Sequence, residues 1–296
     1  NFGYAHACGH DAHTAVLLHA VKLLQERRHE FAGEIRFFFQ PGEEIGKGAK
    51  PFVAAGVLDG AERVFGLHTA YDLEAGTVGL KPGINNAAVD HFRIRVHGRS
   101  THVSTPHMGV DALYIASQIV VAVQGLVTRR TSPTEPVIIG IGKLNAGTTY
   151  NAVAAFAEME GTTRTISQES RDRVRAQVSE TAQSIAALYG GTAEVEWTDF
   201  AAALVNDPQV CEEAARVVDE LLGAGHVVTD RELSLSGDNF AEFELYKPGA
   251  YAYLGTGNPD LPHTMITNHN GGFDVDENAL VTGAGLYVGY TVARLG

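Results

Sequence analysis

The sequence predicts an α/β protein in which a domain with a mostly parallel sheet is split by a smaller α+β domain. Strand-like and helix-like segments alternate early in the chain, which is typical of a parallel sheet flanked by helices. The order then changes to strand–helix–strand–strand–helix–strand, which is the order of a ferredoxin-like fold. The first pattern resumes afterwards. The predicted division is 1–85 and 203–296 for the split domain and 86–202 for the insert.

In the first part of the split domain, the predicted elements are a helix from Asp11 or Thr14 to about residue 28, a strand over 35–39, a helix over 49–55 and a strand over 63–67. The helices follow from apolar residues at helical spacing. Residues 35–39 are a continuous apolar run, as expected for a strand buried on both faces. His68 would close the next strand. Because open α/β sheets bind ligands at the carboxyl ends of strands, we expect both strand ends to lie near a site.

The insert and the last part follow from the same periodicities. In the insert, strands are predicted over 88–96, 137–144, 154–161 and 192–197, and helices over 110–127 and 169–188. In the last part, a helix is predicted over 208–222, a strand over 251–254 and a final helix over 276–294. Alternating apolar residues mark the strands and a 3.6-residue period marks the helices.

The composition is that of a globular protein. The chain has 22 Lys+Arg against 35 Asp+Glu, a net charge of −13, and 45% hydrophobic residues. Without a basic stripe, such an acidic chain argues against nucleic acid or an anionic membrane as a partner. We find no continuous apolar run of about 18 residues that would predict a membrane span. Two cysteines in 296 residues exclude a disulfide scaffold, so we expect a reducing, cytoplasmic location.

The first candidate site is the segment ACGHDAHT over residues 7–14. Cys8 and His10 can bind one metal ion from an irregular turn, which Gly9 allows to tighten. Asp11 can orient an imidazole from outside the ligand shell. Taken alone, the segment is equally consistent with a buried structural cysteine and a surface histidine.

The second candidate site is the segment QPGEE over residues 40–44. The carboxylates of Glu43 and Glu44 point in different directions, so one can bind a metal ion while the other holds a water molecule. A Glu pair in a surface loop is usually only solvated, but the apolar run before it favours a site here. His68 and His269, the latter in the loop before the last helix, add two further donors.

These segments, together with GLH over 66–68 and GTTYN over 147–151, resemble the ordered motifs of the di-metal aminoacylase and carboxypeptidase family. The resemblance covers essentially the whole chain. It is strongest to the branch of hippurate hydrolases, N-acyl-amino-acid amidohydrolases and auxin-conjugate hydrolases. It implies a metal-dependent amidohydrolase that cleaves N-acyl amino acids or short peptide-like amides. It also implies that the insert is a lid and dimerisation domain and that the protein is a homodimer.

The resemblance further implies a set of site residues. The residues that look like ligands of two divalent metal ions are Cys8, His10, Glu44, His68 and His269. By the same resemblance, Glu43 looks like the general base and His102 like the imidazole that stabilises the oxyanion. Asn151 and Arg164 look like the pair that binds the substrate carbonyl or carboxylate. The mixed sulfur, nitrogen and oxygen donors suit Zn²⁺, and Mn²⁺ is common in this branch; Co²⁺ and Ni²⁺ are further candidates.

Two other functions stay open. The chain has no initiator Met and begins inside a motif, so we expect an incomplete N-terminus, which leaves room for an impaired relative that only binds an acylated amino acid or a partner. A cysteine hydrolase using Cys8 with His10 or His13 is the weaker reading, because a two-residue spacing rarely gives nucleophile–base geometry. Three histidines of the insert are interpreted as surface residues: His91, His97 and His107.

Overall fold

The structure is a computed structural model that describes residues 3–296. The chain forms two compact units, each with its own sheet and core. The first unit contains the residues up to 85 together with 204–233 and 240–296, and the second contains 86–203 and 234–239. Segment 234–239, which the sequence analysis assigned to the last part of the split domain, therefore belongs to the second unit.

The described residues form ten strands and seven α-helices. The strands are β1 (Val64–Glu74), β2 (Val78–Gly79), β3 (Gly83–Asn86), β4 (Ala88–His97), β5 (Ile138–Ala146), β6 (Phe156–Thr165), β7 (Thr192–Ala201), β8 (Leu204–Asn206), β9 (Val227–Val228) and β10 (Gly249–Gly257). The helices are α1 (His10–Glu26), α2 (Ala49–Ala54), α3 (Ala112–Gly125), α4 (Gln168–Leu188), α5 (Pro208–Leu222), α6 (Ala241–Glu244) and α7 (Ala279–Leu295).

The first unit is built on a four-stranded sheet in the order β1-β10-β2-β9. The β1/β10 and β2/β9 pairs are parallel, and the β10/β2 pair is antiparallel. Val16 of α1, Val217 of α5 and Leu286 of α7 share its core with residues of the sheet. A Cβ on Gly283 of α7 would lie 2.9 Å from Leu254, so this helix packs closely on β10. The predicted α/β class is confirmed.

Residues 35–39 do not form the predicted strand. Ile35 and Phe37 pack into a cluster with residues of α1 and α7, whereas Phe38 packs against Phe52 of α2. Side chains therefore alternate between two clusters, as in a strand. No described strand pairs with this segment. The prediction was wrong because an apolar run signals burial but says nothing about a partner for the backbone hydrogen bonds.

The strand that carries His68 is longer than predicted. His68 pairs with Tyr253 of β10 and lies in the interior of β1 rather than after its end. The ladder continues to Ala70, and after an irregularity it reaches Glu74. The predicted end at residue 67 was wrong because β10 is long enough to supply partners beyond that point.

The second unit has an antiparallel sheet in the order β5-β6-β4-β7. In terms of the four strands of this unit, the order is second, third, first, fourth, which is the ferredoxin-like arrangement predicted for the insert. Ile115 and Ile119 of α3 and Val178 of α4 pack with Phe92 and Ile94 of β4 in its core.

A buried ion pair lies in this second unit. Arg171 of α4 donates two hydrogen bonds to Asp90 of β4, from Nε to Oδ2 at 2.9 Å and from Nη2 to Oδ1 at 2.7 Å. Their side chains are only 4% and 1% exposed, and Asp199 also contacts the guanidinium. Removing Arg171 would leave Asp90 buried with only Arg175 Nη1, 3.9 Å from Asp90 Oδ1, as a charged partner among the described residues.

Among the described residues, one helical stretch is long and apolar enough to cross a membrane by length and composition, namely residues 112–130. It combines α3 with the π-helical turn Leu126–Arg130. It is not a continuous apolar run, because Ser117 and Gln118 interrupt it. Core helices pass the same test, so one such helix is weak evidence for a membrane span.

Candidate metal centre

A glycine turn places Cys8 and His10 at the start of α1. Gly9 has a φ of 77°, in the left-handed region that glycine adopts most readily. A Cβ at this position would lie 2.5 Å from Thr69 Oγ1, so the turn approaches β1 too closely for a larger residue. Helix α1 begins directly at His10, so Cys8 precedes Gly9 and His10 follows it, and their donor atoms lie within 4.8 Å of each other.

The predicted carboxylate pair lies in a short 3₁₀ turn. This turn, Glu43–Ile45, lies between Gly42 and Gly46, which have φ values of 74° and 64°. His10 Nε2 lies 3.9 Å from Glu43 Oε2 and 4.0 Å from Glu44 Oε1. The Glu43 side chain is 21% exposed and that of Glu44 is 48% exposed. The two adjacent carboxylates therefore both approach His10 Nε2 and differ in their exposure.

His269 reaches the same place from the loop before α7. Its φ of 61° makes it the one non-glycine residue with a positive φ in the described part of the chain, and such conformations often occur at functional sites. Its backbone N–H donates to Ala7 O at 2.6 Å. Its Nε2 lies 3.2 Å from Glu44 Oε1. The loop is therefore held against the turn that carries Cys8.

The structure brings together all five residues that the resemblance implies as metal ligands. Within each of three overlapping groups, the donor atoms lie within 4.8 Å of one another. The groups are Cys8 with His10 and His68, Cys8 with Glu44 and His269, and His10 with Glu43 and Glu44. Sulfur, nitrogen and oxygen donors at these separations have the chemistry to hold transition-metal ions.

The thiol of Cys8 is in an unfavourable environment for a free thiolate. Burial raises the pKa of Cys8 to about 12, and the charges of Glu44 and Glu43 also raise it. Asn268 opposes this effect: its Nδ2 donates to Cys8 Sγ at 3.5 Å. A metal ion is bound by the thiolate, so binding here would release the thiol proton.

A backbone carbonyl, not the expected carboxylate, orients one imidazole of the cluster. His68 Nδ1 lies 2.7 Å from Thr69 O. Because a carbonyl can only accept, Nδ1 carries the proton and Nε2 presents a lone pair, 3.5 Å from Cys8 Sγ. Asp11 instead accepts a hydrogen bond from the backbone N–H of Ala12. The expected role of Asp11 was wrong because its side chain turns back onto the first turn of α1.

A comparison with protein families identifies the chain. The model of peptidase family M20/M25/M40 matches residues 1–292. The chain belongs to this family. The resemblance to the aminoacylase and carboxypeptidase family is therefore confirmed.

Individual members of the M20/M25/M40 family are similar over most of the chain. N-acetyl-L-cysteine deacetylase of Bacillus subtilis is 38% identical over 94% of the chain, which spans 65% of that protein. Thermostable carboxypeptidase 1 of Saccharolobus solfataricus is 36% identical over 95% of the chain, which spans 71% of that protein. A solved dinuclear metal-binding peptidase of the family from Bacillus subtilis is 34% identical and superposes with a TM-score of 0.82, over 98% of this chain and 73% of that one.

The other predicted site residues of this M20/M25/M40 member lie in the second unit. His102 and Asn151 are neighbours: His102 forms an isolated β-bridge with Ala152, and the N–H of Val103 donates to Asn151 O at 3.1 Å. The Asn151 side chain accepts a hydrogen bond from Thr149 Oγ1 at 3.1 Å.

Arg164 lies near the end of β6, opposite Val89 and Ile138. Its Nη1 atom is buried, and no described residue accepts a hydrogen bond from it. Burial also lowers the pKa of Arg164. A buried guanidinium nitrogen without an acceptor is costly, so this group is suited to an anionic or carbonyl ligand.

Proposed function

We propose that this member of the M20/M25/M40 family hydrolyses the amide bond of N-acyl amino acids with the help of two divalent metal ions. The observation that carries the proposal is the set of three overlapping groups of thiol, imidazole and carboxylate donors, with the donor atoms of each group within 4.8 Å of one another. The proposed ligands are Cys8, His10, Glu44, His68 and His269. The similar deacetylase of Bacillus subtilis is named for N-acetyl-L-cysteine, which supports a small acylated amino acid as the substrate.

The donor set supports a borderline metal ion such as Zn²⁺, with Mn²⁺, Co²⁺ and Ni²⁺ as alternatives that availability would decide. When bound, such ions would polarise the amide carbonyl and lower the pKa of water. The tautomer of His68 supports this role, because its Nε2 lone pair faces Cys8 Sγ.

Glu43 is the proposed general base. Its Oε2 atom lies beside His10 Nε2, at 3.9 Å, and its side chain is less exposed than that of Glu44. In the proposed reaction, Glu43 accepts a proton from the attacking water and passes it to the departing amine. The neighbouring Glu44, which lies 3.2 Å from His269 Nε2, is the proposed ligand.

His102 is the proposed donor to the oxyanion. Its Nδ1 accepts a hydrogen bond from the backbone N–H of Ser104 at 3.2 Å. Because that N–H can only donate, Nδ1 lacks a proton, and in the neutral ring the proton is on Nε2. An Nε2–H donor of this kind can stabilise the negative oxygen of a tetrahedral intermediate.

Arg164 and Asn151 are the proposed groups for the carboxylate or carbonyl of the substrate. The unsatisfied Nη1 atom of Arg164 supports this role, since guanidinium and carboxylate form paired hydrogen bonds. We expect Arg164→Leu to raise KM for N-acetyl amino acids strongly. An equal rise in KM for the corresponding N-acetyl amino-acid amides, which lack the carboxylate, would contradict this role.

Metal analysis combined with a substrate panel tests the proposal. The panel contains N-acetyl and N-benzoyl amino acids, N-acetylcysteine and a dipeptide, with amine release as the readout. We expect two metal ions per chain and release from at least one acyl amino acid. The carboxypeptidase relative supports a second candidate function, the cleavage of short peptides. Amine release from the dipeptide alone would favour this second function.

Paired variants separate the two carboxylates. Glu43→Gln should abolish turnover and keep the metal content, whereas Glu44→Gln should lose metal. Loss of metal in Glu43→Gln would contradict the division of roles. Bound metal with no turnover on any substrate would favour a relative that only binds acylated amino acids. If thiol alkylation inactivates the protein even when metal is bound, this would favour Cys8 as a nucleophile.

A homodimer through the insert is also part of the proposal. Strand β5 is an edge strand, which pairs with β6 on one side. Ile138 and Leu144 of this strand are 41% and 43% exposed, and Val121 of α3 is 70% exposed. Edge strands with apolar side chains readily pair with a second chain. A monomeric mass by light scattering would contradict this part, and the cytoplasmic location stays a prediction from cysteine content.

A further inference from the structure

His13 has no role in the proposed reaction, yet its ring contacts those of two proposed metal ligands, His10 and His68. It lies one helical turn after His10 on α1, and its ring packs against that of His68 with centroids 4.4 Å apart. Its Nε2 atom accepts a hydrogen bond from the backbone N–H of Thr69 at 3.0 Å. A backbone N–H can only donate, so this nitrogen is an acceptor and the proton of the neutral ring is on Nδ1.

Thr69 connects His13 to the ligand His68. The N–H of Thr69 is held by His13, and the carbonyl of the same residue lies 2.7 Å from His68 Nδ1. Thr69 itself is only 3% exposed, and its Oγ1 lies 3.3 Å from His13 Nε2 and 3.5 Å from Cys8 O. The residue is therefore held from the helix side and the loop side at once.

No neighbouring strand in the described part of the chain supplies another acceptor for the Thr69 N–H. β1 lies at the edge of its sheet among the described strands, with β10 on its other side. Without an acceptor from α1, the buried N–H of Thr69 would be unsatisfied, which is costly. The strand would then relax, and the carbonyl that orients His68 would move with it.

We propose that His13 is a positioning residue of the metal centre, which holds Thr69 and thereby keeps His68 Nε2 turned toward Cys8. The inference rests on the proposed function, because His68 is taken as a ligand. It assigns His13 no contact with substrate or metal. Outer-shell partners of histidine ligands contribute to metal affinity by fixing the tautomer and the ring orientation.

Three substitutions test the acceptor. His13→Gln places an amide oxygen near the position of Nε2 and should retain Zn²⁺ binding close to that of the parent. His13→Asn is one methylene too short to reach Thr69, and His13→Phe keeps the ring but has no acceptor. Both should weaken Zn²⁺ binding by about 10-fold or more. Affinity is measured on the full chain by competition with a chromophoric chelator, with the exposed His19→Asn as the matched control on the same helix.

The unfolding midpoint of each metal-free variant in urea separates positioning from a merely structural role. We expect His13→Asn, which leaves the Thr69 N–H without its acceptor, to unfold at a lower urea concentration than His13→Gln. Both variants should be fully folded without urea, where a difference in Zn²⁺ affinity reports positioning and not loss of the fold. Unchanged affinity in His13→Asn and His13→Phe would overturn the proposal, as would equal loss in His13→Gln. If His13→Phe does not fold, the Gln and Asn pair decides.

A ligand variant distinguishes failure of this inference from failure of the proposed function. His68→Ala should lose one Zn²⁺ per chain. If it does, and the His13 variants bind Zn²⁺ like the parent, only the positioning role is refuted. If His68→Ala also binds Zn²⁺ like the parent, the metal centre itself is wrong and the positioning role falls with it.

Discussion

Replacing Gly9 by alanine tests how closely the turn at the candidate metal centre approaches β1. The left-handed φ of 77° should cost alanine about 1–2 kcal/mol. The added Cβ would also lie 2.5 Å from Thr69 Oγ1 and 3.3 Å from its Cγ2. Overpacking of this kind typically costs about 1–3 kcal/mol. We therefore expect Gly9→Ala to lower the free energy of unfolding by about 2–5 kcal/mol, the sum of the two terms.

Gly60 provides the matched control. Its φ is 75°, close to that of Gly9, but no atom lies within 4 Å of the Cβ position. Gly60→Ala should therefore show only the backbone cost of about 1–2 kcal/mol. Urea unfolding of the metal-free protein, followed by far-UV circular dichroism, gives both values.

A double-mutant cycle then isolates the clash. Thr69→Ala removes Oγ1 and Cγ2, so that the Cβ atom of Thr69 would be the nearest remaining atom, 3.4 Å from the new methyl group. The double variant should be more stable than the sum of the two single changes predicts. A cost of Gly9→Ala no greater than that of Gly60→Ala, or strict additivity of Gly9→Ala and Thr69→Ala, would refute a clash between the added methyl group and Thr69. We also expect weaker Zn²⁺ binding in Gly9→Ala, because the turn positions two proposed ligands.

Three further outcomes are expected. Arg171→Leu should destabilise the second unit by about 3 kcal/mol, because Asp90 stays buried and, within residues 3–296, keeps only Arg175 Nη1, at 3.9 Å, as a charged partner. An unchanged transition in the fluorescence of Trp197, which lies in that unit, would contradict this. The hydrogen bond from Asn258 lowers the pKa of Asp276, so the ionised Asp276 stabilises the fold above the pKa of the unfolded chain, and this stabilisation is lost as pH falls through the pKa of the folded protein. The loss of stability in Asp276→Asn, measured by urea unfolding, should therefore become smaller in acid. A loss that does not change with pH would contradict this. Chelation should lower the thermal midpoint, since free metal at one hundred times Kd stabilises by about 2.7 kcal/mol, and an unchanged midpoint would refute metal binding.

Much of the fold was accessible from local patterns. The strand–helix–strand–strand–helix–strand order of the insert was predictable because long amphipathic elements such as α3 and α4 repeat their apolar residues many times. Strands β2, β3, β8 and β9, of two to four residues, were missed because such short segments show no period. Residues 35–39 carried a clear signal of burial, but a strand also needs a paired neighbour, and pairing is a property of the sheet.

The sequence by itself determined the family and the identity of the candidate site residues, because motif order and residue type are written along the chain. Only the tertiary structure decided which donors meet, since Cys8 and His269 are far apart in sequence and come together through the hydrogen bond from His269 N–H to Ala7 O. The structure likewise decided that a carbonyl of Thr69 orients His68. Backbone acceptors have no signature in the sequence, because every residue carries the same carbonyl group and only the fold determines where it points.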